Sequence, residues 1–245
     1  KTKQVTITGE VKIPGTYFIE DNTSVSDIIK AAGNYTQNAF TVGGVLSRKT
    51  VTDVELRLKE RSYNELVRFL VASQGGGSRN SISSESLITF LSLLKDYEPS
   101  GRLVTEFELS ELEKNPIKDR LLEDGDKIHI PAFMNQVYVF GEVLNPSGYS
   151  YQSNLSVKDY LEMSGGFSRS ADENKIILIL PNGTAESIEL GFLNSVFQSE
   201  QILPGSLIYV PQYIGKVEGI NLASAVAPII SSFALSIASL NSINN

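Results

Sequence analysis

Short apolar runs open each half of the chain: Val5-Thr6-Ile7 and Val137-Tyr138-Val139, both leading into Gly-Glu-Val. β-Branched and aromatic residues in such runs predict strands, and the glycine at the end of each predicts a local kink. Pro14-Gly15 and Pro146-Ser147-Gly148 then supply turns, since proline fixes φ and glycine permits a positive one. Tyr17-Phe18-Ile19 and Tyr149-Ser150-Tyr151 resume as second strands. Beyond them the period changes to that of a helix. Val25, Ile28, Ile29 and Ala32 recur at i, i+3, i+4, i+7, as do Val157, Tyr160, Leu161 and Ser164. Ser24 and Ser156 stand at the N-cap of each, with Asp27 and Asp159 three residues on, the spacing of a capping box at the positive end of the helix dipole. Gly33 and Gly165 are placed to end the helices in the left-handed conformation. A helix of about two turns does not persist alone in water, so each is expected to lie on a sheet.

These two stretches are one pattern written twice. Residues 5–39 align without a gap on residues 137–171, with identities at Val5, Gly9, Glu10, Val11, Pro14, Tyr17, Asn22, Ser24, Val25, Asp27, Gly33 and Ala39. Their counterparts are Val137, Gly141, Glu142, Val143, Pro146, Tyr149, Asn154, Ser156, Val157, Asp159, Gly165 and Ala171. Each copy also ends on a strand before a proline, at Ile128-His129-Ile130-Pro131 and Leu207-Ile208-Tyr209-Val210-Pro211. In the second copy Ile176 to Leu180 and Thr184 to Leu190 read as a hairpin across Asn182-Gly183. In the first copy an insertion occupies about residues 50–115, with a helix expected over Thr52 to Ser73, opened by Thr52 with Glu55 at capping-box spacing. A second helix is expected over Ser84 to Leu94, across a Gly/Ser-rich joint. Only Ala132 to Gln136 separate the copies, too few residues for a flexible tether, so a rigid tandem is expected. The domains are drawn at 1–133, 134–213 and a C-terminal segment 214–245.

That segment has its own pattern. Ile220 to Ile243 carries no charge, and as a helix it would be about 36 Å long, against a hydrocarbon layer of about 30 Å. Asn221, Ser224, Ser231, Ser232, Ser236, Ser239 and Ser242 fall close to one helical stripe. Val226, Ile229, Ile230, Phe233, Ile237 and Leu240 form the opposite, apolar face. A lone lipid-spanning helix gains nothing from such a stripe, whereas a ring of copies could turn it to a water-filled lumen. The other reading is a C-terminal helix packed across the chain's own domains, or a segment that is disordered without detergent.

Composition narrows the chemistry. A net charge of −7 argues against a nucleic-acid partner. With no cysteine and a single histidine, His129, neither a catalytic triad nor a typical zinc site can be assembled, and no cofactor is expected. Glu10 and Glu142 are repeat equivalents, so they are expected to do the same local work in separate domains and not to form a glycosidase pair. Asp124-Gly125-Asp126 is expected to be a turn, and Gly75-Gly76-Gly77-Ser78 lacks the lysine of a phosphate loop. The chain opens at Lys1 without an apolar leader, as a piece of a longer or processed protein would.

The string V-x-G-E-V-x-x-P-G-x-Y, then S-V-x-D, then L-x-D-G-D-x-I-x-I-P resembles the SLBB domain, a soluble-ligand-binding β-grasp unit. Asn34 departs from the pattern where the second copy has Gly166, and so does Ser147 where the first has Gly15. Two such units before an amphipathic helix resemble the Wza-like polysaccharide export proteins of the Gram-negative outer membrane. The export domain that usually precedes them is not in this sequence. The resemblance implies an α+β chain of two tandem β-grasp domains, and a non-enzymatic role as an oligomeric passive conduit for capsular or exopolysaccharide. It also implies a ring-shaped homo-oligomer, an outer-membrane location with a large periplasmic portion, and an inner-membrane copolymerase with a tyrosine-kinase role as partner. The alternative is a periplasmic glycan-binding module that forms no pore.

Overall fold

A computed structural model describes residues 2–73, 91–92, 95–96, 98–188 and 202–213. The alternation at the start of each copy buries one side of a strand. In β1 (Lys3–Gly9) Val5 and Ile7 are buried, and in β6 (Gln136–Gly141) Val137 and Val139 are. The proline turns fold each strand back on an antiparallel partner, β2 (Gly15–Ile19) or β7 (Ser147–Ser150). The helices follow as α1 (Val25–Ala31) and, in the second copy, α4 (Val157–Met163).

Both capping boxes form. Ser24 accepts from the Asp27 amide while Asp27 accepts from the Ser24 amide, and Ser156 and Asp159 repeat the exchange. Both helices also end alike. The amides of Gly33 and Asn34 donate to the carbonyls of Lys30 and Ile29, and those of Gly165 and Gly166 donate to Glu162 and Leu161, a Schellman ending in each case. Asn34 takes a positive φ of 67°, where Gly166 has 86°. Asparagine tolerates the left-handed region better than most residues, which explains how the two can exchange.

The remaining strands complete two sheets of the same design. The first holds β3 (Val45–Ser47), β4 (Arg102–Leu103) and β5 (Lys127–Ile130); the second holds β8 (Ile176–Ile179), β9 (Ala185–Ile188) and β10 (Leu207–Val210). Strand orders are β2-β1-β5-β3-β4 and β7-β6-β10-β8-β9. In each, the closing strand lies centrally, parallel to the first strand and antiparallel to the third. This is the β-grasp arrangement, twice. Each helix packs on one face: Val25, Ile28 and Ile29 meet Val5, Ile7, Ile128 and Ile130, while Val157, Tyr160 and Leu161 meet Val137, Val139, Ile208 and Val210. At about 1.5–3 kcal/mol for each fully buried aliphatic side chain, these faces hold helices that have no independent stability.

The Gly-Glu-Val kinks have a clear cause. Gly9 and Gly141 have φ of 83° and 91°, and a Cβ on either would lie 2.0 or 2.1 Å from the carbonyl oxygen of Ile130 or Val210. That approach lets the next amide, of Glu10 or Glu142, donate to the same carbonyl at 2.8 Å.

The insertion lies in the β3–β4 connection, where the second copy has the tight Pro181–Thr184 turn. Its helix α2 spans Lys49–Ser73, three residues longer at the start than expected. The Thr52–Glu55 capping box does not form. Thr52 sits inside the helix and its hydroxyl donates back to the Arg48 carbonyl, while Glu55 accepts from the Gly101 amide. The short helix α3 (Leu109–Lys114) buries Leu112 behind the first sheet. Most of the helix expected over Ser84 to Leu94 lies outside the described residues.

Candidate functional site

The sequence placed its site residues on the C-terminal segment. The polar stripe (Asn221, Ser224, Ser231, Ser232, Ser236, Ser239, Ser242) and the apolar face (Val226, Ile229, Ile230, Phe233, Ile237, Leu240) all lie outside the described residues. Among the described residues no helix is long and apolar enough to cross a membrane, and no three His, Asp or Glu side chains converge as metal ligands would.

The repeated glutamates do repeat their work. Glu10 accepts from the Thr36 hydroxyl, and Glu142 accepts from the hydroxyls of Ser168 at 2.5 Å and Ser170 at 2.6 Å. Each ties its kink to the loop after the helix. Asp124-Gly125-Asp126 is a turn: Gly125 takes φ of 88°, Asp124 accepts from the Gln4 amide, and the Asp126 amide donates to Glu123. Its second carboxylate, however, does more than close the turn. Asp126 is buried and receives Arg48 through both oxygens, from Nε at 3.0 Å and Nη2 at 2.7 Å. Arg48 also reaches Glu123 at 2.7 Å and the Leu121 carbonyl at 2.9 Å. Hydrogen bonding to Asp126 raises the Arg48 pKa further above its ordinary value. Arg48 immediately precedes α2, so this fork fastens the root of the insertion to the closing turn of the sheet. In the second copy Ser206 takes the Asp126 position and bonds the Leu203 amide, with no ion pair.

Between the two sheets lies a seam. Phe40, Gly43, Val45 and Pro131 of the first domain approach Tyr138, Pro181, Gly205 and Leu207 of the second around a cavity of about 20 Å³, with Met134 of the connector beside them. Phe40 meets Phe133 of the connector edge to face, centroids 5.6 Å apart. Arg102 crosses the seam from β4 and donates through Nη2 to the Pro181 carbonyl at 2.5 Å, while its Nε is buried without a partner among the described residues. Burial pushes the Arg102 pKa down to about 10. Gly183, in the turn of the second domain, is where Arg102 fits: a Cβ there would lie 2.7 Å from Arg102 Nε.

Beside the seam is a larger cleft of about 610 Å³, within the 300–1,000 Å³ common for ligand sites. One wall is Thr41 and Val42; another is Val104, Thr105 and Glu106 after β4; a third is Ile117 to Leu121, before the closing strand. Asn182 of the second domain closes the edge. Ile117 is fully exposed and Val104 and Leu121 more than half so, a sparse aliphatic lining. Asp119 is held by α1: it accepts from the Ser26 amide at 3.1 Å and hydroxyl at 2.7 Å. Glu106 accepts from the amides of Phe107 and Glu108. Lys118 and Arg120 flank Asp119 and form no ion pair among the described residues; the Arg120 guanidinium makes a 3.5 Å contact with the Val104 carbonyl. No sequence motif marks this cleft, because its walls come from four separate stretches brought together by the fold.

His129, on the sheet face away from α1, bonds Thr8 through Nδ1 at 3.0 Å, and its Nε2 is buried without a partner among the described residues. Burial lowers its pKa.

Comparison with known proteins agrees with this architecture. The SLBB domain family matches residues 4–54 and again 136–189. The polysialic acid transport protein KpsD of Escherichia coli is 33% identical over 128 residues, which cover 52% of this chain and 20% of the relative. A second Escherichia coli sequence of the same name is 32% identical over 128 residues, with the same shares covered. The chain thus spans about a fifth of the length of the curated relatives it matches.

Proposed function

We propose that this chain, whose two β-grasp domains each match the SLBB domain family, serves polysaccharide export, as the periplasmic and outer-membrane part of an oligomeric, non-enzymatic conduit for capsular or exopolysaccharide. The observation that carries the reading is the pairing of two β-grasp domains of one topology across a built seam, in a chain similar over half its length to a polysialic acid transport protein. A passive conduit needs rigid walls and no reacting groups, and the repeated glutamates, the Asp124–Asp126 turn and Arg48 are all occupied in holding the backbone.

In this reading the domains run 1–133 and 134–213, and segment 214–245 forms the spanning helix. Asn221, Ser224, Ser231, Ser232, Ser236, Ser239 and Ser242 line the lumen, and Val226, Ile229, Ile230, Phe233, Ile237 and Leu240 face lipid. The working form is a ring of copies in the outer membrane, met on its periplasmic side by an inner-membrane copolymerase. Deleting residues 220–245 from the full-length protein tests this. Export of polymer to the cell surface is lost if the reading holds, and undiminished export overturns it.

A second reading, a periplasmic glycan-binding module without a pore, is favoured by one feature, the 610 Å³ cleft that both domains line. Under it the same deletion leaves function intact.

A further inference from the structure

The cleft between the domains has features that the fold does not demand. It is wide enough for more than a solvent molecule, open to solvent, and shared between two domains whose relative position is set by the seam beside it. Sites at domain junctions are favoured for ligands because residues from separate stretches converge there. Its two carboxylates have oxygens engaged with the protein: Asp119 with Ser26, Glu106 with backbone amides. Of its two cations, Arg120 makes a side-chain contact of 3.5 Å with the Val104 carbonyl. Lys118 and Arg120 are exposed and in no ion pair among the described residues, although the chain as a whole carries a charge of −7.

Their placement has a local cause. Asp119 is extended, with φ of −77° and ψ of 92°, and its side chain turns to α1. Lys118 ends the 3-10 turn Pro116–Lys118 and Arg120 follows Asp119, and both line the cleft while the Asp119 side chain is held by Ser26. On the facing edge, Asn182 uses its carbonyl oxygen to accept from the Thr184 amide, and its NH₂ donates to nothing else among the described residues. The cleft therefore offers two cations and an amide donor, beside the aliphatic surfaces of Val104, Ile117 and Leu121.

We propose that this cleft binds a carboxylate-bearing stretch of glycan, with Lys118 and Arg120 taking its acid groups, Asn182 donating to a hydroxyl or carbonyl oxygen, and the aliphatic side chains covering the C–H faces of the sugar. The inference rests on the polysaccharide-export reading for the class of ligand, and on the geometry for the site. A net-negative protein repels a polyanion over most of its surface, so a local pair of cations outside any ion pair among the described residues decides where such a polymer touches. A contact of this kind is exposed and weak, as a polymer that must move on requires.

The test is titration calorimetry of the chain with a tetramer of sialic acid, and with the same tetramer after its carboxylates are converted to neutral methyl esters. The comparison includes Lys118→Gln/Arg120→Gln and a charge-matched control, Lys158→Gln/Arg169→Gln, on the second domain. The acid tetramer binds the unaltered chain and the control alike, about tenfold more weakly to the Lys118/Arg120 variant, and weakly in its ester form. Amide signals of residues 117–121 and 182 shift on binding in nuclear magnetic resonance spectra. Equal affinity for all three proteins, or no binding of the acid tetramer, overturns the inference. Neither result touches the export reading, which stands or falls on the deletion of residues 220–245.

Discussion

Removing one partner of the Arg48–Asp126 fork should destabilise the first domain far more than removing both. Arg48's side chain is 12% exposed and that of Asp126 1%, so neither has water to fall back on. Truncating one member of such a pair leaves a buried charge uncompensated and costs about 3–5 kcal/mol, whereas replacing both with groups that pack is often neutral. The second domain supplies the replacement, since Leu180 and Ser206 occupy the matching places and Ser206 keeps the turn by accepting from the Leu203 amide at 3.1 Å. Asp126→Ser alone retains a turn bond but leaves the guanidinium only the exposed Glu123 and the Leu121 carbonyl, and Arg48→Leu alone strands the buried carboxylate. Each is expected to cost about 3–5 kcal/mol, and the double variant only about 1–2 kcal/mol, reflecting the lost bonds to Glu123 and Leu121. Hydrogen exchange of peptides from residues 2–130 and 136–210, followed through urea, reads each domain separately. Single-variant costs that add up in the double variant, or a single cost below about 1 kcal/mol, would refute the reasoning.

Other consequences follow from the same geometry. Gly9→Ala and Gly141→Ala should each unfold their own domain preferentially, by more than about 2 kcal/mol, since the new Cβ meets a backbone oxygen at 2.0 or 2.1 Å; domain-resolved exchange reads this. His129 is the only histidine, and burial lowers its pKa below the ordinary 6.5, so the folded state holds it neutral and the unfolded state binds more protons as the solution is acidified. First-domain stability is therefore expected to fall as the pH drops below the ordinary 6.5 toward the lowered folded value, and His129→Gln should flatten that part of a urea-midpoint profile. Asp159, held ionised by the hydroxyl and amide of Ser156, has a lowered pKa. Its contribution is present above pH 3.8 and lost on acidification through the folded value, a loss that Asp159→Asn should remove. Gly183→Ala should push Arg102 from its place and loosen the seam, seen as faster protease cleavage within residues 131–135 with both domains still folded.

The elements that could be read from sequence are those fixed by near neighbours. Ser24 with Asp27 and Ser156 with Asp159 are three residues apart, Gly33 and Gly165 act within one turn, and the gapless repeat carried each feature from one copy to the other. The Thr52–Glu55 expectation failed for a reason of the same scale. Lys49 already begins the helix because the Arg48 carbonyl is engaged from Thr52 and Arg48 itself is anchored 78 residues away at Asp126, a long-range contact that local spacing does not report. The cleft was invisible for that reason as well. Thr41, Val104, Lys118 and Asn182 lie on four separate stretches and share no motif; only the central closing strand and the seam bring them together. Arg102 gives no local signal either, since a buried guanidinium reads in sequence as an ordinary surface arginine.

The claim that these domains are walls of a conduit is tested most directly by the mass of the full-length protein in detergent solution, measured by light scattering with the detergent contribution subtracted. The account predicts one discrete species at a whole-number multiple of the chain mass, closed as a ring, and its collapse to smaller species when residues 220–245 are removed. A monomer under conditions that keep both domains folded would contradict it.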